Sequence, residues 1–301
     1  MFKPFVCFVL VASIVCPYSI SALEIKHISL REGSQLDQYA VDLLKFIVEV
    51  SGEEAELVPF VDSGSQTRRQ LQMMRGSYDV DWFGATEEIE SRVVPIRYPI
   101  LRGLLGHRVF ITNRETYSVI NRAMPFSELK TFGLIQGQGW GDIVILANSG
   151  FKKISVTADY DNIFRMIQSN RASLFPRSIV EPYGELSSRC SLDRSNRCTD
   201  KNMMVDDKLL LVYKLPMFFF ISPHRQDLVK MFNSAFENHY DEFLVFFRNY
   251  PLVKDALSKL ENRSVFRINE NNFLSEETNR IDDFYWLETY EVDVTKARST
   301  D

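Results

Sequence analysis

The residues best suited to grip a small polar molecule are two arginines and one glycine-rich loop. Arg102 follows the apolar run Pro99-Ile100-Leu101, and Arg177 follows Leu174-Phe175-Pro176. A guanidinium is costly to desolvate unless it meets an anion, and its planar fork matches a carboxylate or phosphate. The two together form a candidate clamp for an anionic group. The alternative for each is a structural ion pair or a solvated loop end. Pro176 fixes the backbone ahead of Arg177 and so aims it. Gln136-Gly137-Gln138-Gly139-Trp140-Gly141-Asp142 alternates glycines just before an expected helix. Backbone N–H groups there can receive an anion or polar ligand, and glycine permits close approach. Trp140 would add a stacking face. An ordinary strand-to-helix turn would use the same residues. Trp82 and Phe83 suit either an opposing wall or the core. Glu181 and Tyr183 follow Arg177 and either reach the same cleft or pair with it.

Catalytic signatures are missing from the sequence. There is no GxSxG, no HExxH and no Cys–His pairing. His27, His107, His224 and His239 fall in different elements, so no metal site is expected, and no cofactor either. The glycine loop is neither a Walker loop nor a GxGxxG fingerprint. Glu87, Glu88 and Glu90 sit at a helix start, where carboxylates complement the helix dipole. The chain is read as a binding protein and not an enzyme.

The elements that must position these residues alternate. Leu23 to Leu30 reads as a strand by period-2 alternation. Ser34 opens a helix whose apolar face is Leu36, Tyr39, Ala40, Leu43, Leu44, Ile47 and Val48, and Gly52 ends it. Glu56 to Phe60 is a strand, Ser65 caps a helix through Met74, and Asp79 to Gly84 is a third strand. This β-α-β-α-β order implies a mostly parallel sheet covered by helices. A second α/β unit follows: strands at 107–112, 132–135, 154–156 and 172–175, with helices at 142–148 and 161–168. Strands at 209–213 and 216–222 and helices at 226–236 and 240–248 close it. The last 50 residues or so contain a short helix near 253–260 and mixed polar and aromatic sequence.

The 301 residues are 45% hydrophobic and 25% charged, which excludes collagen-like, low-complexity and disordered classes. A net charge of −5 argues against nucleic-acid binding. Residues 1–22 read as a secretory signal: Lys3, an apolar run from Phe5 to Val15, Pro17, then small residues before cleavage. An uncleaved anchor is the alternative. Cleavage removes Cys7 and Cys16. Cys190 and Cys198 remain, and in an oxidising compartment a local disulfide between them is expected.

Four stretches carry a resemblance to the type II periplasmic solute-binding proteins, near the amino-acid-binding (family 3) group of bacterial uptake systems. They are Tyr78 to Glu88, Pro99 to Ile111, Phe126 to Trp140 and Pro216 to Tyr250. The match is one of pattern and spans roughly residues 23–260. It implies an α/β fold of two lobes, each a mostly parallel sheet flanked by helices, joined by crossover strands. Lobe one would comprise 23–111 and 214–301, including a tail from 252, and lobe two 112–213. Hinges would lie near Phe110–Thr112 and Val212–Leu215. Thr86 sits where the family has its Thr-x-x-Arg ligand loop, but Ile89 stands at the Arg position. Arg177 stands where a carboxylate normally holds an amino group. The resemblance therefore implies periplasmic capture of a small polar, anionic solute by a monomer, for delivery to an ABC-type permease. A sensor module presenting ligand to a membrane receptor, or an enzyme using the same cleft, are the alternatives.

Overall fold

The computed structural model describes residues 22–31, 33–62, 64–192, 202–268 and 273–287. The expected signal, nearly all of which precedes residue 22, lies outside them, and so does Cys198. Cys190 falls in the last turn of helix Pro182–Leu192, an element that the polar composition of this stretch did not suggest.

Twelve strands are present among the described residues: β1 (Leu23–Ile28), β2 (Ala55–Phe60), β3 (Val80–Gly84), β4 (Val94–Ile96), β5 (His107–Asn113), β6 (Leu134–Gly137), β7 (Ile154–Thr157), β8 (Leu174–Ser178), β9 (Met203–Val205), β10 (Leu209–Tyr213), β11 (Met217–Ile221) and β12 (Ser264–Ile268). They form two sheets. The first runs β2-β1-β3-β11-β4 and the second β12-β10-β5-β8-β6-β7, with β9 on β5. β1 pairs in parallel with β2 and β3, as right-handed β-α-β units require. β11 enters antiparallel, setting Phe219 opposite Trp82. Its five residues Met-Phe-Phe-Phe-Ile are all buried, because both faces of a central strand are covered.

Helix boundaries follow local chemistry. The Ser34 hydroxyl accepts from the Asp37 N–H, and Gly52 closes helix Gln35–Ser51 in the left-handed conformation. Ser65 caps helix Gln66–Met74, and Asp159 caps helix Tyr160–Gln168 through two N–H groups. Helix Gln35–Ser51 packs on helix Gln226–Asn238 over the first sheet.

Two features of the sheets depart from the sequence reading. β5 starts at His107 inside the second sheet, so the break between lobes falls near Gly106. A Cβ on Gly106 would lie 1.9 Å from the Tyr213 carbonyl oxygen, so the two crossings pass where only glycine fits. The tail does not belong to lobe one alone. β12 adds a parallel strand to β10 in the second sheet, pairing Leu211 with Phe266. Residues 273–287 then dock on the first lobe. The Phe273 carbonyl accepts from the Glu87 N–H at 2.9 Å, and the Ser275 and Thr278 hydroxyls each donate to Glu90 at 2.8 Å. The tail thus straps both lobes. It also touches the second crossing, where the Lys214 ammonium donates to the Asn279 carbonyl at 3.2 Å and lies over the Trp286 ring.

Candidate functional site

The carboxyl ends of the parallel strands of both sheets open onto one cavity of about 560 Å³. In open α/β sheets this is where ligands bind, because the loops there diverge and leave a crevice. β1 ends into Arg31, β2 into Asp62 and β3 at Phe83-Gly84 on one wall. β6 ends into Gly137-Gln138 and β7 into Thr157 and Asp159 on the other, with Arg177 on β8. The walls touch each other at glycines. A Cβ on Gly139 would lie 2.6 Å from the Thr67 hydroxyl, and one on Gly141 would lie 2.5 Å from the Thr86 methyl. On the neighbouring rim a Cβ on Gly33 would meet Ser188 at 2.5 Å. The two lobes are therefore closed on each other, and three glycines allow the approach.

Charge dominates the lining. Arg31, Arg69, Arg108 and Arg177 face the cavity, together with Asp62, Asp142, Asp159 and Glu181. Three of the four guanidinium groups are already engaged. Arg177 donates to Glu181 at 2.5 Å and through two nitrogens to Glu185, and it lies 4.9 Å from the Trp140 ring centroid. Glu185 also accepts from the Tyr160 hydroxyl. Arg108 pairs with Asp142 at 3.2 Å and Glu181 at 3.5 Å, and donates to the Tyr213 hydroxyl at 2.9 Å. Arg31 makes a two-nitrogen fork to Asp37 at 2.8 and 2.9 Å. Burial resists ionisation of Asp37, but the Arg31 charge and the hydrogen bonds from Arg31 and Trp82 outweigh it and hold the carboxyl at about 2. Arg69 differs. Its nearest carboxylate oxygen, on Asp81, is 3.7 Å away, beyond hydrogen-bond range.

Against this geometry the sequence reading divides. Arg177, Gly137, Gln138, Trp140, Trp82 and Glu181 line the cavity together. Arg102 does not. Its guanidinium points into the tail and donates to the Phe284 and Trp286 carbonyls at 2.9 and 2.6 Å, so the expected pairing of Arg102 with Arg177 is absent. Gln136 is buried behind the loop and donates to Asp142 at 3.0 Å. Thr86 caps helix Glu87–Glu90 and reaches the site only as the contact of Gly141. Tyr183 faces away, towards Arg263 and Lys259. Arg31, Arg69, Arg108, Asp62 and Tyr160 were not anticipated, and Asp142 was named only as the end of the glycine loop. Taking the residues just after each parallel strand would have found Arg31 and Asp62, and a charge inside the apolar run of β5 would have marked Arg108.

Known structures share the fold. A periplasmic binding protein of Salmonella typhimurium with high arginine specificity superposes with a TM-score of 0.53 at 13% identity, covering 76% of this chain and 98% of that one. The periplasmic VFT2 domain of Bordetella pertussis BvgS gives 0.54 at 10%, covering 76% and 93%. A putative ABC-transporter binding component from Wolinella succinogenes, complexed with lysine, gives 0.51 at 12%, covering 76% and 95%. This chain has the type II periplasmic-binding-protein fold. No family model matches the sequence, and no curated protein is recognisably similar to it in sequence. The likeness therefore rests on the fold, with its two sheets, its crossings and the cleft between them. The tail strap is built onto that type II frame. Among the described residues no helix is long and apolar enough to cross a membrane, and no group of three or more potential ligands could hold a metal ion.

Proposed function

We propose that this is an exported solute-binding protein that captures a small polar, anionic solute between its lobes and delivers it to an ABC-type membrane permease. The observation that carries the reading is the cavity at the strand ends, closed by glycine contacts from opposite lobes. A packed core would fill such a space, whereas a hinged receptor keeps it for its ligand. The lining supports a polar solute, since four arginines and four carboxylates stand among its residues. Similarity to a transporter component supports delivery. Similarity to the BvgS domain favours a second reading, in which the same capture reports to a membrane sensor. The reading also takes the solute to leave unchanged. A thermal-shift screen of amino acids and small organic anions tests capture: a solute at 100-fold its Kd adds about 2.7 kcal/mol of stability. Recovery of that solute intact after long incubation separates binding from turnover. A screen in which no solute raises Tm contradicts the proposal.

A further inference from the structure

We infer that Arg69 is the anion-recognising residue of the cleft, and that the solute carries one carboxylate and no second anionic group. This rests on the cleft being the binding site and goes on to say what it binds.

The argument begins with which positive charge remains to be used. Arg31, Arg108 and Arg177 each donate hydrogen bonds to partners already in place. Among the described residues the Arg69 guanidinium donates none, and its one ion pair is the 3.7 Å approach of Nε to Asp81. It nevertheless lines the cavity, with a side chain 16% exposed. Its position is fixed without consuming its donors. It projects from helix Gln66–Met74, and its guanidinium carbon lies 5.1 Å from the Phe83 ring centroid. Asp81 is itself held by the Tyr78 hydroxyl and the Trp82 N–H, both at 2.7 Å. An arginine stacked on an aromatic ring and steadied from one side keeps its fork for a planar oxyanion.

The neighbouring charges set the rest of the ligand. Asp62, Asp142, Asp159 and Glu181 line the same cavity, and the three other arginines are neutralised by carboxylates. A second anionic group would meet like charge with no unengaged cation to balance it. A phosphate monoester, with close to two charges at neutral pH, is disfavoured for the same reason. The remainder of the solute therefore carries no further negative charge.

The test titrates the purified protein with propionate, butyrate, β-alanine and γ-aminobutyrate, against succinate, glutarate and methyl phosphate. The readouts are Kd and the indole N–H resonance of Trp140 in isotope-labelled protein. The expected result is a Trp140 shift with at least one monocarboxylate, bound at least about tenfold more tightly than the dicarboxylates and methyl phosphate. Arg69→Ala should weaken that binding by about 10–100-fold. Because that variant leaves Asp81 buried without its counter-charge, Arg69→Lys is the second variant. It keeps the charge and the parent Tm but lacks the fork, so it too should bind more weakly. Tighter binding of a dicarboxylate or methyl phosphate, no monocarboxylate binding at all, or parent affinity in Arg69→Lys would each overturn the inference. Binding that shifts Trp140 yet ignores Arg69 removes this inference and leaves the cleft reading intact. Binding that leaves Trp140 silent removes both.

Discussion

Arg177 is the residue whose replacement best separates a structural from a ligand-binding role. Its side chain is 5% exposed, and Glu181 and Glu185 are 7% and 14% exposed. Arg177→Met keeps most of the volume but leaves two carboxylates without this guanidinium. Removing one partner of a buried ion pair typically costs about 3–5 kcal/mol. The lower end applies here, because Glu181 keeps Arg108 at 3.5 Å and the Ser178 N–H at 2.9 Å. The expectation is a loss of about 3 kcal/mol, read by urea unfolding followed by circular dichroism. Arg177→Met combined with Glu185→Gln removes one of the two orphaned charges and should recover about 1–2 kcal/mol. Burial already pushes the Glu181 carboxyl upward against the pull of Arg177 and Arg108. Without Arg177 the folded form takes up that proton more readily than the unfolded chain, so the deficit should shrink as pH falls. If Arg177→Met unfolds within roughly 0.5 kcal/mol of the parent, as a surface change does, the pre-paired account is wrong. The guanidinium would then be available to a ligand.

Three further outcomes follow from the same geometry. Gly141→Ala sets a Cβ 2.5 Å from the Thr86 methyl, across the closed cleft; solute affinity should fall about tenfold with Tm little changed, and Thr86→Ser, which removes that methyl but keeps the cap, should restore it. If the double variant binds no better than Gly141→Ala, closure is not made at this contact. Burial outweighs the Gly103 carbonyl contact at His107 and lowers its pKa from 6.5 to about 4. The unfolded chain therefore binds a proton that the folded one does not, and stability is full above pH 6.5 and falls towards pH 4 by about 3 kcal/mol. His107→Gln should flatten that slope in urea titrations across the range, and an unchanged slope assigns it to other groups. Arg102→Met loses charge-assisted hydrogen bonds to two carbonyls, about 1.5–3 kcal/mol each. Hydrogen exchange should accelerate in 273–287 and stay at parent rates in β1 and β3; uniform rates would show that the tail is not held by Arg102.

Local signals were the legible ones. Ser34 and Ser65 were read as caps from the apolar spacing that follows them, and Asp142–Asn148 appears with the boundaries expected. Parallel β-α-β order followed from alternation, and the loop through Trp140 was marked by its glycines, whereas the cleft between the lobes came only from the family resemblance. What failed was long-range. The partners of Arg102 lie 182 and 184 residues away, and no local pattern reveals that a cation will be turned into a C-terminal segment. β12 alternates half-buried and exposed residues and becomes a strand only because β10 offers it an edge. Arg68 and Arg69 are adjacent on one helix, yet Arg68 is 67% exposed and Arg69 lines the cavity. The helical phase relative to a second lobe decides between them, and composition carries no trace of it. Arg177 was found, and of its partners the sequence offered Glu181 but not Glu185, which approaches only once helix Pro182–Leu192 forms.

The chain carries its own reporters for the central claim. It has three tryptophans: Trp82 and Trp140 line the cavity, and Trp286 is buried in the tail strap. Following their indole N–H resonances by NMR, while titrating whichever solute raises Tm, locates binding whatever the chemical identity of that solute. Capture between the lobes predicts that Trp140 moves in a saturable way, with Trp82 following, while Trp286 stays in place. Saturable binding that shifts Trp286 alone, or leaves Trp82 and Trp140 unmoved, would contradict it.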